Sequence, residues 1–229
     1  MKAPGQFITL EGLDGCGKST QLEMLGDYLR GQGRAVLTTR EPGGTPVGQK
    51  IRDVLLNVTA ETITSLSELS LIFAARAQHI EQVILPALHR GEMVLCDRFT
   101  DSSFAYQGYG RGVPLDTIRT LEQVLCQGLR PDLTLILDLD AASSSERTAV
   151  RNRMTQQPNT RFEQEGMEFF ERVREGYLAI ARQEPHRVRV IDARGSIEQL
   201  HSAVRAAVDA FLQSPPAEGS PPARGSHGV

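Results

Sequence analysis

The sequence predicts an α/β fold, a doubly wound five-stranded parallel sheet with helices on both faces. Short apolar runs alternate with longer helical patterns along almost the whole chain. Most of these runs are apolar on both faces, which is typical of strands buried in a parallel sheet. A glycine-rich turn joins the first run to the first helical pattern. In such sheets ligands bind outside the carboxyl ends of the strands, so the residues that follow each strand are candidates for a functional site.

The predicted strands are the five apolar runs, which cover residues 7–10, 35–37, 93–96, 133–137 and 188–191. The segments between them repeat apolar residues at helical spacing. The predicted helices lie near residues 18–31, 47–57, 63–90, 115–128, 143–156, 165–184 and 196–213. This alternation of strands and helices predicts right-handed crossover connections between parallel strands.

Length and composition indicate one domain followed by a short tail. The chain has 229 residues, of which 40% are hydrophobic and 23% are charged, values that are ordinary for a globular protein. We expect a single domain over residues 1–213. Residues 214–229 contain almost nothing apolar to bury, so we expect a disordered tail there.

Charge and apolar patterning exclude some classes of partner. The formal net charge of −3 argues against broad coating of nucleic acid, and no apolar run reaches the length of a membrane span. The N-terminus carries no apolar signal segment, so we expect a cytoplasmic protein without nucleic-acid or membrane partners. The three cysteines and five histidines show no metal-ligand or disulfide spacing.

The turn after the first strand carries a phosphate-binding motif. Residues 12–20 read Gly-Leu-Asp-Gly-Cys-Gly-Lys-Ser-Thr and fit G-x-x-x-x-G-K-[ST] between a strand and a helix. Backbone N–H groups of such a loop surround a phosphate, the lysine contacts the β- and γ-phosphates, and the serine hydroxyl binds Mg²⁺. Only three of the 25 basic residues are lysines, so the lysine in this motif indicates a specific function. The predicted ATP-binding residues of this loop are Gly12, Asp14, Gly15, Cys16, Gly17, Lys18, Ser19 and Thr20.

The loop alone is compatible with a GTPase switch, a motor or a small-molecule kinase. Asp97 and Arg98 follow the third strand, where the carboxylate can hold Mg²⁺ through water and the guanidinium can clamp a phosphate. For Asp97 and Arg98, a surface ion pair that binds no ligand is the alternative.

Phe73 and Arg76 share a face of a long helix, which suits a flat base with carbonyl oxygens. A core phenylalanine beside a snorkelling arginine is the alternative for that pair.

In combination these motifs resemble bacterial thymidylate kinases. The resemblance rests on residues 11–20, 39–44, 73–76, 97–99 and 101–108 and runs in order from about residue 7 to residue 207. It implies the P-loop kinase architecture with a helical lid, and transfer of the ATP γ-phosphoryl group to dTMP to give dTDP and ADP. It also implies Mg²⁺ as cofactor and a homodimer.

The resemblance implies residue roles around the base and the sugar of dTMP. Phe73 would stack on thymine, Arg76 would donate to a thymine carbonyl, and Gln107 would contact the base edge. Tyr106 would lie against the sugar C2′ and crowd out a ribose hydroxyl, and Asp14 would lie near the 3′-hydroxyl.

Other implied roles concern the phosphates. Arg40, Arg52 and Arg98 would hold the dTMP phosphate with Glu41 close by, and Asp97 would lie near Mg²⁺. The acceptor phosphate is already ionised at neutral pH, so the reaction requires no general base. Positioning and neutralisation of charge are what the transfer demands of the protein.

Residues of about 143–162 match the family's mobile lid. Charge that develops on the transferred group needs a cation from the ATP side, and the phosphate-binding loop carries no arginine. Arg151 and Arg153 are the candidates for that cation, whereas Arg147 would lie over adenine and Arg161 would anchor the lid. From the statistics of composition alone, a solvated basic face stays open as an alternative. The predicted catalytic residues are Lys18, Arg98, Arg151 and Arg153.

Two other functions stay open. A kinase of the same fold could use another nucleotide or a deoxynucleoside as acceptor, which a panel of acceptors would reveal. A non-catalytic switch module would need a guanine-reading Asn-Lys-x-Asp segment, and the sequence contains none.

Overall fold

A computed structural model describes residues 5–57, 62–156 and 160–213 of the chain. Its centre is a five-stranded, wholly parallel sheet with the strand order β2-β3-β1-β4-β5. The strands are β1 (Phe7–Glu11), β2 (Val36–Arg40), β3 (Met93–Asp97), β4 (Leu133–Asp138) and β5 (Val188–Asp192). The predicted fold class is therefore confirmed, and each strand runs one to three residues further toward its carboxyl end than the apolar run alone indicated.

The described helices agree with most of the predicted ones. They are α1 (Lys18–Gly31), α2 (Pro46–Leu56), α3 (Ser65–His79), α4 (Leu85–His89), α5 (Thr100–Ser103), α6 (Leu115–Leu125), α7 (Ala141–Thr155), α8 (Met167–Gln183) and α9 (Ile197–Gln213). A π-helical segment, Ile80–Ile84, joins α3 to α4, so the predicted helix near 63–90 is one continuous rod with a wider turn inside it. The predicted tail, residues 214–229, lies outside the described residues.

Two helical regions were not predicted, a short 3-10 helix, Phe162–Gln164, and a longer region that begins at Thr100. The short helix α5 continues into a π-helical segment, Phe104–Gly110. Its glycines allow close packing: a Cβ on Gly108 would lie 2.6 Å from Leu115 Cδ2, and one on Gly110 would lie 2.6 Å from Phe169 Cε2. Glycine usually indicates a turn, yet here it lets this segment pack tightly against its neighbours.

Alternate residues of the strands pack into separate clusters of the hydrophobic core. Ile8 and Leu10 point toward α1 and α9, and Phe7 packs on the other face with residues of α3, α4 and α6. A third cluster joins α8 to the segment around Tyr106. Helices thus cover both faces of the sheet and leave its carboxyl edge for a site. Among the described residues, no helix is both long and apolar enough to cross a membrane.

Candidate active site

A cleft of about 690 Å³ lies at the carboxyl edge of the sheet, between the phosphate-binding loop, α3 and the helix α7. Most of the residues that the sequence singled out line it. They are Asp14, Gly15, Gly17, Lys18, Ser19, Thr20, Arg40, Glu41, Arg52, Arg76, Asp97, Arg98, Tyr106, Gln107, Arg147 and Arg151. Four predicted site residues, Gly12, Cys16, Phe73 and Arg153, are not among the residues that line this cleft.

The phosphate-binding loop connects β1 to α1 and depends on glycine. Gly12, Gly15 and Gly17 have φ values of 132°, 76° and 98°, which side chains other than glycine rarely adopt. The Lys18 Nζ donates to the carbonyl oxygens of Gly12 and Leu13 at 3.2 and 2.8 Å, which holds the ammonium against the loop. The loop therefore presents the N-terminus of α1 and one lysine to the cleft.

Cys16 and Gly12 contribute to this loop from behind. The Cys16 side chain is fully buried in the cluster that includes Leu22 and Leu25, and its Sγ lies 3.8 Å from Lys18 Nζ. A Cβ on Gly12 would lie 2.5 Å from the carbonyl oxygen of Leu137 on β4. Both residues thus shape the loop through its backbone and packing, while their side-chain positions face away from the open cleft.

Ser19 and Asp97 both line the cleft and are bonded to each other. The Ser19 hydroxyl donates to Asp97 Oδ2 at 2.8 Å. The other carboxylate oxygen, Oδ1, is buried and has no hydrogen-bond partner among the described residues. A hydroxyl beside a buried, unpaired carboxylate oxygen matches the hard oxygen ligands that Mg²⁺ prefers.

Arg98 lines the cleft and is held by hydrogen bonds from both of its Nη atoms. Its Nη1 donates to Ser102 and Tyr177, at 3.1 and 3.0 Å, and its Nη2 donates to Asp14 at 2.9 Å and to Tyr106 at 3.1 Å. Although burial opposes the charge, these oxygens raise the pKa of Arg98 well above its ordinary value. Its φ of 73° is unusual for a side chain of this size. The guanidinium is thus fixed and permanently charged.

Three guanidinium groups gather around this corner of the cleft. Burial, followed by the charges of Arg40 and Arg98, lowers the pKa of Arg52. Arg52 donates to the carbonyl oxygen of Pro42 at 3.0 Å, and Arg40 donates to Gln49 at 3.4 Å. The three cations repel each other, which favours an anion between them. Their convergence indicates a site for a phosphate or carboxylate.

Arg76 and Glu41 form a buried ion pair on the opposite wall. Arg76 Nε donates to Glu41 Oε2 at 2.6 Å, and its two Nη atoms donate to Ser103 Oγ and the carbonyl oxygen of Phe99, each at 3.0 Å. Although burial opposes ionisation, Arg76 and the hydrogen bond to His79 lower the pKa of Glu41. Glu41 therefore contacts the arginine and the histidine directly, and its role toward a substrate would be to orient Arg76.

Phe73 is buried and is not among the residues that line the cleft, so the structure gives no support to the expectation that its ring stacks on a base. The ring is fully buried in the core cluster with Leu69 and Ile80, and the Arg76 guanidinium carbon lies 4.6 Å from its centre on the cleft side. Ile72 lines the cleft instead. Positions three and four residues before Arg76 both lie near its face of α3, and the rotation of the helix against the core selects Ile72.

Gln107 and Tyr106 also line the cleft. The Gln107 Nε2 donates to the buried carboxylate of Glu68 at 2.7 Å. The Tyr106 ring packs edge-on against Phe162, with ring centres 5.9 Å apart, while its hydroxyl meets Arg98. Burial raises the pKa of Tyr106 above its ordinary value, so the phenol stays neutral.

Helix α7 and the residues after it carry the arginines of the predicted lid. Arg151 and Arg153 are both exposed, but Arg151 lines the cleft and pairs with Glu163 at 2.6 Å, whereas Arg153 lies outside the cleft lining. Arg147 donates to the carbonyl oxygens of Ala193 and Arg194, beside the phosphate-binding loop. Arg161 donates to Glu68 and to the carbonyl oxygen of Leu55. The helix begins at Ala141, two residues earlier than predicted, because Asp140 caps it through Ser143.

Several residues of the site carried no clear signal in the sequence. Glu11, at the end of β1, accepts hydrogen bonds from the Phe99 N–H, the Ser102 hydroxyl and the Tyr177 hydroxyl, which hold the Arg98 network in place. Glu68 binds Gln107, and Glu163 binds Arg151. The available signal for Glu11 was its place directly after the first apolar run, at the start of the segment that carries the family resemblance, and no local pattern distinguished the other two.

Comparisons of the sequence and of the structure with known proteins both find thymidylate kinases. The family model described as thymidylate kinase matches residues 10–204. A thymidylate kinase of Pelotomaculum thermopropionicum is 48% identical over 213 residues, which is 91% of this chain and 97% of that protein. One from Pseudomonas putida strain W619 is 52% identical over 206 residues, 90% of this chain and 95% of that protein. The crystal structure of thymidylate kinase from Ehrlichia chaffeensis is similar with a TM-score of 0.72 at 36% identity, covering 90% of this chain and 99% of that one.

Proposed function

This chain belongs to the thymidylate kinase family, and from that premise we propose how its cleft performs the family's reaction. The enzyme transfers the γ-phosphoryl group of ATP to dTMP, giving dTDP and ADP, in the synthesis of dTTP. The observation that carries the assignment of roles is the arrangement of two anion sites in one cleft. The phosphate-binding loop forms one, and the guanidinium groups of Arg40, Arg52 and Arg98 form the other.

ATP would bind with its phosphates in the loop. The N–H groups of residues 15–20 and the N-terminus of α1 favour negative charge there. The Lys18 ammonium would leave the carbonyl oxygens that now hold it and contact the β- and γ-phosphates. Arg147, next to the loop and the segment before α9, would contact the adenine.

Magnesium would bind at the side chains of Ser19 and Asp97. The unpaired Oδ1 of Asp97 and the adjacent hydroxyl of Ser19 fit a hard cation that also binds phosphate oxygens. When bound, Mg²⁺ neutralises charge on the transferring phosphates. The Ser19–Asp97 hydrogen bond orients both side chains toward the loop before the nucleotide arrives.

The acceptor phosphate of dTMP would bind Arg40, Arg52 and Arg98. Arg98 is fixed by Asp14 and the two tyrosine hydroxyls, so little conformational entropy is lost when it binds an anion. Arg40 is exposed at the rim, where it can close over the bound phosphate. This arrangement directs an oxygen of the acceptor toward the loop, which supplies the positioning that phosphoryl transfer needs.

The base would bind between α3 and the Tyr106 segment. Ile72 offers an apolar surface to one face of thymine, and Arg76, held by Glu41, can donate to a carbonyl oxygen of the base. Gln107 reads the edge, and the Tyr106 ring fills the space that a ribose 2′-hydroxyl would occupy. The lid arginine that would reach the transferred phosphoryl group is Arg151.

A coupled assay of ADP release with dTMP, dUMP, dCMP and AMP as acceptors tests this function. We expect the highest kcat/KM for dTMP. A higher value for another monophosphate would overturn the choice of acceptor. ADP release that is independent of any acceptor would instead indicate a nucleotide hydrolase or a switch protein.

We also propose that the enzyme is a cytoplasmic homodimer. Leu66 on α3 and Val124 on α6 leave 58% and 66% of their surface exposed, and these two helices pack side by side. Exposed apolar side chains on adjacent helices favour association with a second copy. Light scattering should give twice the mass of the chain, and Val124→Glu should shift it toward the monomer. Cell fractionation tests the compartment.

A further inference from the structure

Glu68, on α3, has a fully buried carboxylate whose two oxygens are both bonded. Its Oε1 accepts from Gln107 Nε2 at 2.7 Å and from Arg111 Nε at 3.3 Å. Its Oε2 accepts from Arg161 Nη2 at 2.5 Å. The hydrogen bonds of this buried carboxylate are therefore satisfied by the protein without a substrate. One of its partners, Gln107, lines the cleft.

The carboxylate fixes which end of the Gln107 amide faces the cleft. An ionised carboxylate can only accept hydrogen bonds, so the amide must turn its NH₂ group toward Glu68. The carbonyl oxygen Oε1 then lies at the other end, and no described residue donates a side-chain hydrogen bond to it. The end of the Gln107 amide that is turned away from Glu68 is therefore an acceptor, and Gln107 lines the cleft.

An acceptor at this point distinguishes two pyrimidines. The N3 atom of thymine carries a hydrogen and donates, whereas the N3 atom of cytosine is an acceptor. A locked carbonyl oxygen would bind the first and repel the second. With a freely rotating amide, either base could find a partner, because a glutamine that turns over offers its NH₂ group instead.

The same carboxylate also contacts the segment that follows the lid helix. Arg161 donates its Nε to the carbonyl oxygen of Leu55 at 3.0 Å, and its backbone N–H donates to Leu56 at 3.0 Å. Arg161 is thus fastened to the end of α2 and to Glu68 together. The Glu68 side chain thus makes both the contact that orients Gln107 and the contact with Arg161.

We propose that Glu68 is a positioning residue for base selection, which holds the Gln107 carbonyl toward the N3–H of thymine. This inference rests on the proposed function and deepens it, since it assigns discrimination between thymine and cytosine to a residue that touches neither. Arg161 supports the role because it holds the second oxygen of Glu68 and so keeps the first one on Gln107.

The test compares Glu68→Gln with wild type on dTMP and dCMP. A glutamine at position 68 can face Gln107 with either end, so the amide is no longer locked. We expect the ratio of kcat/KM for dTMP to kcat/KM for dCMP to fall by about tenfold, mainly through a higher KM for dTMP. Arg111→Gln is the matched control: it removes another partner of Glu68, lowers the melting temperature and leaves that ratio unchanged.

A folded Glu68→Gln variant with the wild-type ratio would overturn the inference. Unchanged discrimination between dTMP and dCMP in Gln107→Leu would also overturn it, because the Gln107 carbonyl would then make no contribution to base selection. If Glu68→Gln does not fold, hydrogen exchange in the wild-type protein tests whether Glu68 holds the Gln107 amide in one orientation. The Gln107 side-chain NH₂ signals, assigned by their loss in Gln107→Leu, should exchange slowly, and rapid exchange would contradict the lock. Wild-type protein without activity on dTMP would defeat the proposed function itself, a result distinct from these.

Discussion

The Ser19 hydroxyl donates a hydrogen bond to Asp97 Oδ2 across 2.8 Å, which joins the first turn of α1 to the carboxyl end of β3. The two residues are distant in sequence. They meet because β1 pairs with β3 in a parallel register that sets Leu10 opposite Asp97, and the phosphate-binding loop returns over that edge. The carboxylate keeps its second oxygen, Oδ1, free of protein partners among the described residues.

Substitutions of this pair should change the requirement for magnesium. We expect Ser19→Ala and Asp97→Asn to raise the Mg²⁺ concentration for half-maximal activity several-fold and to lower kcat, because each removes an oxygen that orients the ion. The measurement is ADP release over a titration of Mg²⁺ at saturating nucleotide. Ser70→Ala, an exposed serine on α3, is the control. An unchanged Mg²⁺ requirement in both site variants would refute this assignment.

The two arginines that the sequence could not separate should now differ. Both side chains are exposed, but Arg151 lines the cleft and Arg153 does not. Burial opposes the ionisation of Asp14, whereas the charges of Arg98 and Lys18, with a smaller contribution from Arg151, lower the pKa of that carboxyl. We expect Arg151→Ala to lower kcat at least roughly tenfold with little change in KM for dTMP, since it removes a cation from the transferring group. Arg153→Ala is the matched control and should keep kcat within about twofold. Equal losses in both variants would argue against a specific role for Arg151.

Ile72 and Phe73 provide a second matched pair. Because Ile72 lines the cleft, Ile72→Ala should raise KM for dTMP severalfold, as expected when about 1 kcal/mol of apolar contact is lost. Phe73→Leu should lower the free energy of unfolding by about 1–3 kcal/mol and leave KM unchanged, since its ring is buried in the core. Steady-state kinetics and urea unfolding measure both. A KM effect confined to Phe73→Leu would restore the role that the sequence suggested for that ring.

Local spacing determined how much of this site could be predicted from the sequence. The bounds of α1, Lys18–Gly31, agree with the predicted helix, because a strand, a glycine loop and a helix follow each other within one short segment. Arg151 and Arg153 could not be ranked, since which of them faces the cleft depends on how α7 packs. The same holds for Ile72 and Phe73, whose distinction depends on the rotation of α3 against the core.

Buried partners were the least predictable part of the site. The contact between Glu68 and Arg161 joins residues 93 positions apart, and that between Glu11 and Tyr177 joins residues 166 apart. No periodic pattern in the chain specifies such pairs. They form where the sheet order and the crossing of α8 over the Tyr106 segment bring them together.

Glu11 should make the stability of the enzyme depend on pH near neutrality. Burial, with a further contribution from Asp101, raises the pKa of Glu11 from 4.5 to about 7. The folded state thus binds a proton more tightly than the unfolded chain does. The stabilising contribution is complete below pH 4.5 and is lost as the pH rises through about 7, with a slope of at most about 1.4 kcal/mol per pH unit.

Glu11→Gln removes this titration. We expect the variant to be less stable than wild type at pH 5.5 and the difference in free energy of unfolding to shrink by pH 8, as the wild-type protein loses its protonated form. Denaturant unfolding at pH 5.5, 6.5 and 8 measures the difference. Glu198→Gln, exposed on α9, should run parallel to wild type over the same range. A parallel profile for Glu11→Gln would contradict the raised pKa.

Tyr106 should discriminate between deoxyribose and ribose by the bulk of its ring. The ring is nearly buried, packed against Phe162 and Phe169, so it cannot swing away from an added hydroxyl. Its own hydroxyl accepts from Arg98 Nη2 at 3.1 Å, which ties the ring to the arginine that would hold the acceptor phosphate. If Tyr106 has both roles, substitutions that remove only the hydroxyl or the whole ring should separate sugar selection from phosphate binding.

Two substitutions of Tyr106 separate these functions. Tyr106→Phe keeps the ring, so discrimination against ribothymidine monophosphate should persist, while KM for dTMP rises by about two- to fivefold because Arg98 loses one partner. Tyr106→Ala opens the space beside C2′, and the relative kcat/KM for the ribonucleotide should increase at least roughly tenfold. The measurement is kcat/KM for both monophosphates in the three proteins. The same ratio in wild type and Tyr106→Ala would show that the ring does not exclude the ribose hydroxyl. A gain in Tyr106→Phe would assign the selection to the phenol hydroxyl instead, since the two variants share only the loss of that group.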